Sequence, residues 1–179
     1  MKTRAALILG IISLAAAPVA SGQNFNRLGA SLVGFDEVPS VSTGASGKFD
    51  AQINNHETAI DYELSYTDLE GDVLQAHIHF GQPGVNGGIT VFLCTNLGNG
   101  RAGVTPACPP SPASVSGTIT ADDVSTTAAA AGAVTQGIGP GEFAELVRAI
   151  RAGATYANVH SARWPGGEIR NQVGPGHSH

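Results

Sequence analysis

The chain has 179 residues, of which 42% are hydrophobic and 13% are charged, and its 14 acidic and 9 basic residues give a formal net charge of −5. No basic cluster occurs, which argues against nucleic acid and against an anionic membrane surface as partners, because both are bound by concentrated Lys and Arg. The length suits one domain with its own hydrophobic core.

Residues 1–22 have the pattern of a secretory signal peptide. Lys2 and Arg4 precede an apolar run over 5–17, and small residues follow that run. A positive start, an apolar run of about 7–15 residues and a small-residue exit are typical of such peptides. The run is shorter than the roughly 20 apolar residues that cross a membrane. An uncleaved N-terminal anchor is the alternative interpretation.

We therefore expect an exported protein, either periplasmic or secreted, with no membrane span after cleavage. Residues 23–174 are predicted to form one domain, and residues 175–179 a tail. An unidentified extracytoplasmic protein is then a candidate partner alongside any small ligand.

Short segments that alternate apolar and polar residues follow in chain order. In 60–66, for example, every second residue is apolar, which is typical of a half-buried strand. The other predicted strands are 27–35, 46–54, 72–80, 88–94, 114–120, 154–160 and 167–173. Many short strands at this spacing predict an all-β protein, an antiparallel sandwich or barrel.

One substantial helix is predicted over 142–152. Its apolar residues recur at helical spacing and give one stripe that a core can bury, and they are Phe143, Leu146, Val147 and Ile150. Gly153 is well placed to end the helix. The preceding stretch, 125–139, is rich in Ala, Thr and Gly without a clear period, so we expect a loop or a short irregular crossover there.

Cys94 and Cys108 are the two cysteines of the chain. In an oxidising compartment such a pair usually forms a disulfide. The bridge would close a loop rich in Gly, Pro and Asn and would stabilise it by about 3 kcal/mol. A two-thiol metal site is the alternative, although neither cysteine belongs to a CxxC pair.

Histidines mark the densest polar part of the chain, the segment 76–88. His77 and His79 are two residues apart on a predicted strand, so they project from the same face. On the predicted strand 154–160, Asn158 and His160 lie opposite the apolar Ala157 and Val159. If these strands are neighbours, the three histidines share one polar surface.

Such a surface suits a transition metal. Neutral imidazole binds zinc and copper, and three histidines leave one coordination position open. Two residues of the strand 167–173 would border the site, Glu168 as an acceptor that orients an imidazole and Arg170 as its ion-pair partner or as an anion receptor. We expect the site to be exposed and imidazole-only, which favours copper over zinc in an oxidising compartment. Ordinary exterior polar residues are the alternative interpretation.

Several segments in the same order resemble the chordin-type CHRD domain. They are G-F-D-E-V-P-S-V (34–41), L-x-Y (64–66), A-H-I-H-F-G-Q-P-G-V-N-G (76–87), V-F-L-C (91–94), R-A-G (151–153), Y-A-N-V-H (156–160) and P-G-G-E-I-R-N-Q-V (165–173). The chain departs from the family pattern at Ser40 and Asn171. The resemblance implies an immunoglobulin-like sandwich, and it favours the three-histidine site because the shared segments contain all three histidines.

The H-I-H strand is also similar to the copper strand of copper–zinc superoxide dismutases, but the histidine-rich zinc loop of those enzymes is missing here. No nucleophile elbow, P-loop or dinucleotide fingerprint occurs in the sequence. Three functions remain open: a metal-binding envelope protein, a non-catalytic adhesion or interaction module without metal, and a minor copper redox enzyme.

Overall fold

Eight antiparallel strands make up most of the regular secondary structure in the computed structural model, which describes residues 26–175. The strands are β1 (Arg27–Val33), β2 (Ser46–Ile53), β3 (Ala59–Thr67), β4 (Val73–Phe80), β5 (Gly88–Thr95), β6 (Ala113–Thr120), β7 (Thr155–Ser161) and β8 (Ile169–Pro175). Each strand lies within two residues of its predicted bounds. The predicted signal peptide and residues 176–179 of the predicted tail lie outside the described residues.

The strands form one continuous sheet in the order β5-β4-β7-β8-β1-β2-β3-β6. The sheet curls around its apolar face until its edges, β5 and β6, approach each other, which gives a nearly closed sandwich or barrel. The prediction of an all-β antiparallel protein is therefore confirmed. In this order β4, β7 and β8 are neighbours, as the predicted polar surface requires.

The apolar faces of the strands and one helix make a single core. The helix α2 (Phe143–Arg151) buries the predicted stripe and ends before Gly153, whose φ is 66°. A shorter helix, α1 (Ala131–Thr135), lies where we expected an irregular crossover. Neither helix of the described chain is long and apolar enough to cross a membrane.

A disulfide joins Cys94, near the end of β5, to Cys108, in the segment that leads into β6. The two Cα atoms are 5.0 Å apart, so the predicted bridge is confirmed and these sulfurs are not a metal site. The side chain of Asn96 accepts from the Cys108 amide and donates to its carbonyl, at 3.1 and 2.9 Å. The bridge thus fastens the loop that connects the two edge strands.

Replacing both cysteines in the double variant Cys94→Ala/Cys108→Ala should lower the free energy of unfolding by roughly 3 kcal/mol, because the unfolded chain regains the entropy of an open loop. Chemical denaturation of the oxidised protein and of the double variant measures this difference. A reductant should destabilise the wild type and leave the double variant unchanged. Equal stability of the oxidised wild type and the variant would contradict the expectation.

Candidate metal centre

The strand β4 separates apolar from polar residues by the alternation of its side chains. Ala76 and Ile78 belong to the core, while His77 and His79 project from the opposite face. The neighbouring strand β7 has the same arrangement, with Val159 in the core and His160 on the face of the other two histidines. The strand pairing therefore places three imidazoles on one side of the sheet.

The three rings converge. Their centroids are 5.3 Å apart for His77 and His79, 4.9 Å for His77 and His160, and 6.5 Å for His79 and His160. One ring nitrogen of each lies within 4.8 Å of the others. Bonds of about 2.0–2.1 Å to a tetrahedral ion place ligand atoms roughly 3.3 Å apart. Small movements of the side chains are thus enough to bring three nitrogens to one ion.

The histidine face is covered, and the expectation of an exposed site is wrong. His77, His79 and His160 are only 0%, 8% and 7% exposed. Two irregular segments contact this face through backbone carbonyls, 81–87 between β4 and β5 and 162–168 between β7 and β8. A third, 34–45 after β1, contacts the segment 81–87 through the Val38 carbonyl and reaches Asn158 through Glu37. Alternation along a strand predicts which side a residue faces, but it does not show whether a loop covers that side.

Two of the imidazoles are oriented by backbone carbonyls. The Nδ1 atom of His79 lies 2.9 Å from the carbonyl oxygen of Gly87, and the Nδ1 atom of His160 lies 2.9 Å from that of Pro165. A carbonyl only accepts, so each Nδ1 carries the proton and each Nε2 keeps its lone pair, which in His160 faces Nδ1 of His77. Metal-bound histidines are held in this way, with the second ring nitrogen donating to a fixed acceptor.

His77 completes the cluster. Its Nδ1 atom lies 3.2 Å from Nε2 of His160, and its ring packs edge-on against Phe92 at 4.5 Å. The Nε2 atoms of His77 and His79 are buried without a hydrogen-bond partner among residues 26–175. Buried polar atoms are nearly always paired, so these nitrogens fit a bound ion.

Burial keeps the three imidazoles neutral. It lowers the pKa of His77 to about 2, with a further contribution from His160 and His79. It lowers the pKa of His79 to about 4 and also depresses the pKa of His160, although the carbonyls of Gly87 and Pro165 act in the opposite direction. Neutral imidazole is the form that binds a metal.

The predicted neighbours of the site are also buried, but their contacts differ from those we expected. Glu168 accepts from the Thr43 hydroxyl and from the Glu70 amide, both at 2.9 Å, and no described hydrogen bond joins it to an imidazole. Arg170 donates to the Val85 carbonyl at 2.8 Å rather than to Glu168. The carbonyls of the two loops orient the rings instead.

Asn158 and Tyr156, both on β7, connect the histidines to these neighbours. The Asn158 side chain interacts with the His79 ring. The Tyr156 ring stacks on His79 at 4.7 Å, and the Arg170 guanidinium also lies against this ring, 3.3 Å from its centroid. His79, Tyr156 and Arg170 thus form a three-layer stack that fixes the His79 ring from the side.

The sequence did not identify Tyr156, Phe92 or Glu37 as part of the site. Glu37 is a buried carboxyl group that interacts with Asn158 and Arg170. Glu37 lies in the segment 34–41, which carries part of the family resemblance, but the resemblance assigns no role to this residue. Its position depends on a long-range loop contact that alternation does not predict.

A family model described as the CHRD domain matches residues 28–173, which include all eight strands except the first residue of β1 and the last two residues of β8. The match therefore covers both the sheet and the three histidines. No curated protein and no solved structure matches the chain.

Acidification from pH 7.5 to pH 5 should destabilise the metal-free protein. Below pH 6.5 the unfolded chain binds protons on histidines whose pKa is lowered in the folded state, so folding loses stability as pH falls. Glu37 acts in the opposite direction, because burial raises its pKa from 4.5 to about 7. Three histidines against one carboxyl give a net loss on the order of 3 kcal/mol at pH 5.

Thermal unfolding in the presence of a chelator measures this dependence. The Glu37→Gln variant, which lacks the opposing carboxyl, should lose more stability over the same pH range. A melting temperature that is constant or rises toward pH 5 in the wild type would show that the imidazoles are not held neutral.

Proposed function

The chain belongs to the CHRD domain family, and we propose that it is an exported metal-binding protein that holds one copper ion through His77, His79 and His160. The observation that carries the proposal is the orientation of His79 and His160, whose Nδ1 atoms meet backbone carbonyls, together with the convergence of one ring nitrogen from each of the three histidines within 4.8 Å. A face of merely polar residues does not require its imidazoles to be buried, neutral and convergent.

The ligand set supports copper, with zinc as the alternative. Exposure no longer argues for copper, because the histidines are buried. Imidazole nitrogens bind both ions, and at such sites the affinity for divalent copper exceeds that for zinc. Three protein ligands leave a position for water or another small ligand, which is the arrangement that a redox role would also need.

Two observations support export. The first 22 residues have the signal-peptide pattern, and the disulfide between Cys94 and Cys108 is of the kind that persists in oxidising compartments. Export would place the proposed copper site outside the cytoplasm.

The purified protein should bind one equivalent of copper, and His79→Ala should weaken that binding by roughly 100-fold or more, because it removes one of three ligands. Trp164 is the only tryptophan and precedes Pro165, whose carbonyl contacts His160. Quenching of its fluorescence by Cu²⁺ therefore reports on the site. Metal analysis after gel filtration gives the stoichiometry.

His56→Ala is the matched control, since His56 is an exposed histidine in the turn between β2 and β3. It should bind copper as the wild type does, and both variants should show cooperative unfolding. Failure of the wild type to bind copper or zinc under any loading condition would reject the proposal and favour an interaction module. If copper binds, a dismutase or oxidase assay distinguishes a binding protein from a redox enzyme.

A further inference from the structure

Glu37 brings a buried carboxyl group to the edge of the histidine cluster. It is 5% exposed, and it lies in the segment that follows β1, where its amide donates to the Gly34 carbonyl at 3.1 Å. Its Oε1 atom has no hydrogen-bond partner in the part of the chain that the structure describes. A carboxyl group in such a position is costly unless another group compensates it, so its presence needs an explanation.

The backbone at Gly167 holds this carboxyl group in place. A Cβ atom on Gly167 would lie 2.4 Å from Oε1 of Glu37, and the φ angle of Gly167 is 125°, which residues other than glycine rarely adopt. Only glycine therefore leaves room for the carboxyl group here. Since Gly167 lies two residues after Pro165, the same loop orients His160 and accommodates Glu37.

Asn158 links Glu37 to the metal ligands. Its side chain interacts both with the Glu37 carboxyl group and with the His79 ring. The Oδ1 atom of Asn158 is itself buried without a partner, as are the Nε2 atoms of His77 and His79. Four buried polar atoms without partners, counting Oε1 of Glu37, thus belong to one connected group of side chains, whereas such atoms are rare in folded proteins.

The charged groups beside the cluster are Arg170 and the carboxyl groups of Glu37 and Glu168. The three imidazoles are neutral, whereas Arg170 is cationic and its charge disfavours a positive charge on His79. Arg170 also interacts electrostatically with Glu37. The carboxyl group of Glu168 accepts from Thr43 and Glu70 through Oε1, and no described hydrogen bond joins it to Arg170 or to an imidazole. Glu37 is the carboxyl group that interacts with Arg170 and, through Asn158, is linked to the histidine cluster.

We propose that Glu37 supplies the negative charge that makes the three-histidine site prefer a divalent ion, Cu²⁺, over Cu⁺. This inference rests on the proposed metal site. The attraction between a carboxylate and an ion grows in proportion to the charge of the ion, so a doubly charged ion gains about twice as much as a singly charged one. The cost of burying an ion also rises with its charge, and neutral imidazoles supply no negative charge to reduce it. Glu37 acts on the ion through its negative charge and is not itself a ligand, since the three histidines bind the ion.

The test compares the affinities of the purified protein for Cu²⁺ and Cu⁺ at about pH 8.5, above the pKa of about 7 to which burial raises the Glu37 carboxyl group, so that this group is ionised. Each affinity is measured by competition with a chelator of known affinity for that ion. Glu37→Gln, which keeps the shape and removes the charge, should weaken Cu²⁺ binding by about tenfold and Cu⁺ binding by only about threefold, because the lost attraction scales with the charge of the ion. Glu37→Asp, which keeps the charge, should remain close to the wild type. The resulting change of about threefold in the affinity ratio corresponds to a rise of about 30 mV in the reduction potential of the bound copper.

Glu63→Gln is the matched control, because it removes the same formal charge from the exposed face of β3 and should change neither affinity. Wild-type protein that binds copper together with an unchanged affinity ratio in folded Glu37→Gln would overturn this inference and leave the metal site intact. Equal losses for Cu²⁺ and Cu⁺ would also overturn it, since they indicate a structural role. Wild-type protein that binds neither ion would overturn the proposed function itself and this inference with it.

Discussion

The antiparallel pairing of β4 with β7 is the constraint on which the rest of the site depends. In this register Ala76 lies opposite Val159, and Gln75 lies opposite His160. Because the side chains of a strand alternate, a pairing that keeps Ala76 and Val159 in the core must place the histidines on the other face. A shift of one residue would turn the imidazoles into the core and the apolar side chains outward. The stability of the core thus also fixes the geometry of the histidine cluster.

The loops then convert a polar face into a closed site. Each of two strand connections provides a carbonyl to an imidazole, from Gly87 and from Pro165. The same loops remove water from the rings, which lowers the pKa of each histidine and leaves several buried atoms without partners. These buried groups make the folded protein less stable than an ordinary sheet surface would, and such local losses of stability are typical of functional sites.

The sequence predicted the features that depend on local patterns. Alternation predicted the strands, helical spacing predicted the helix over 142–152, and the two cysteines predicted their bridge. Convergence of His77, His79 and His160 followed from alternation together with an assumption about which strands are neighbours. Burial of the face and the role of Glu37 did not follow, because they depend on irregular segments. Glu37 and Gly167 are in contact although 130 residues separate them, and neither belongs to a periodic element that could reveal the contact.

The disulfide lies at the seam between β5 and β6, the two edges of the sheet that are not paired with each other. Cys94 lies in the edge strand β5, and the bridge connects it to the segment that leads into the other edge strand, β6. Across the same seam the Tyr62 hydroxyl donates to the Leu93 carbonyl at 2.6 Å. Unpaired strand edges are templates on which other chains can add strands, which is a common route to aggregation. By fastening both edges to each other, the bridge makes them less available for such pairing. Reduction of the bridge would therefore favour self-association of the chain before the chain loses its fold.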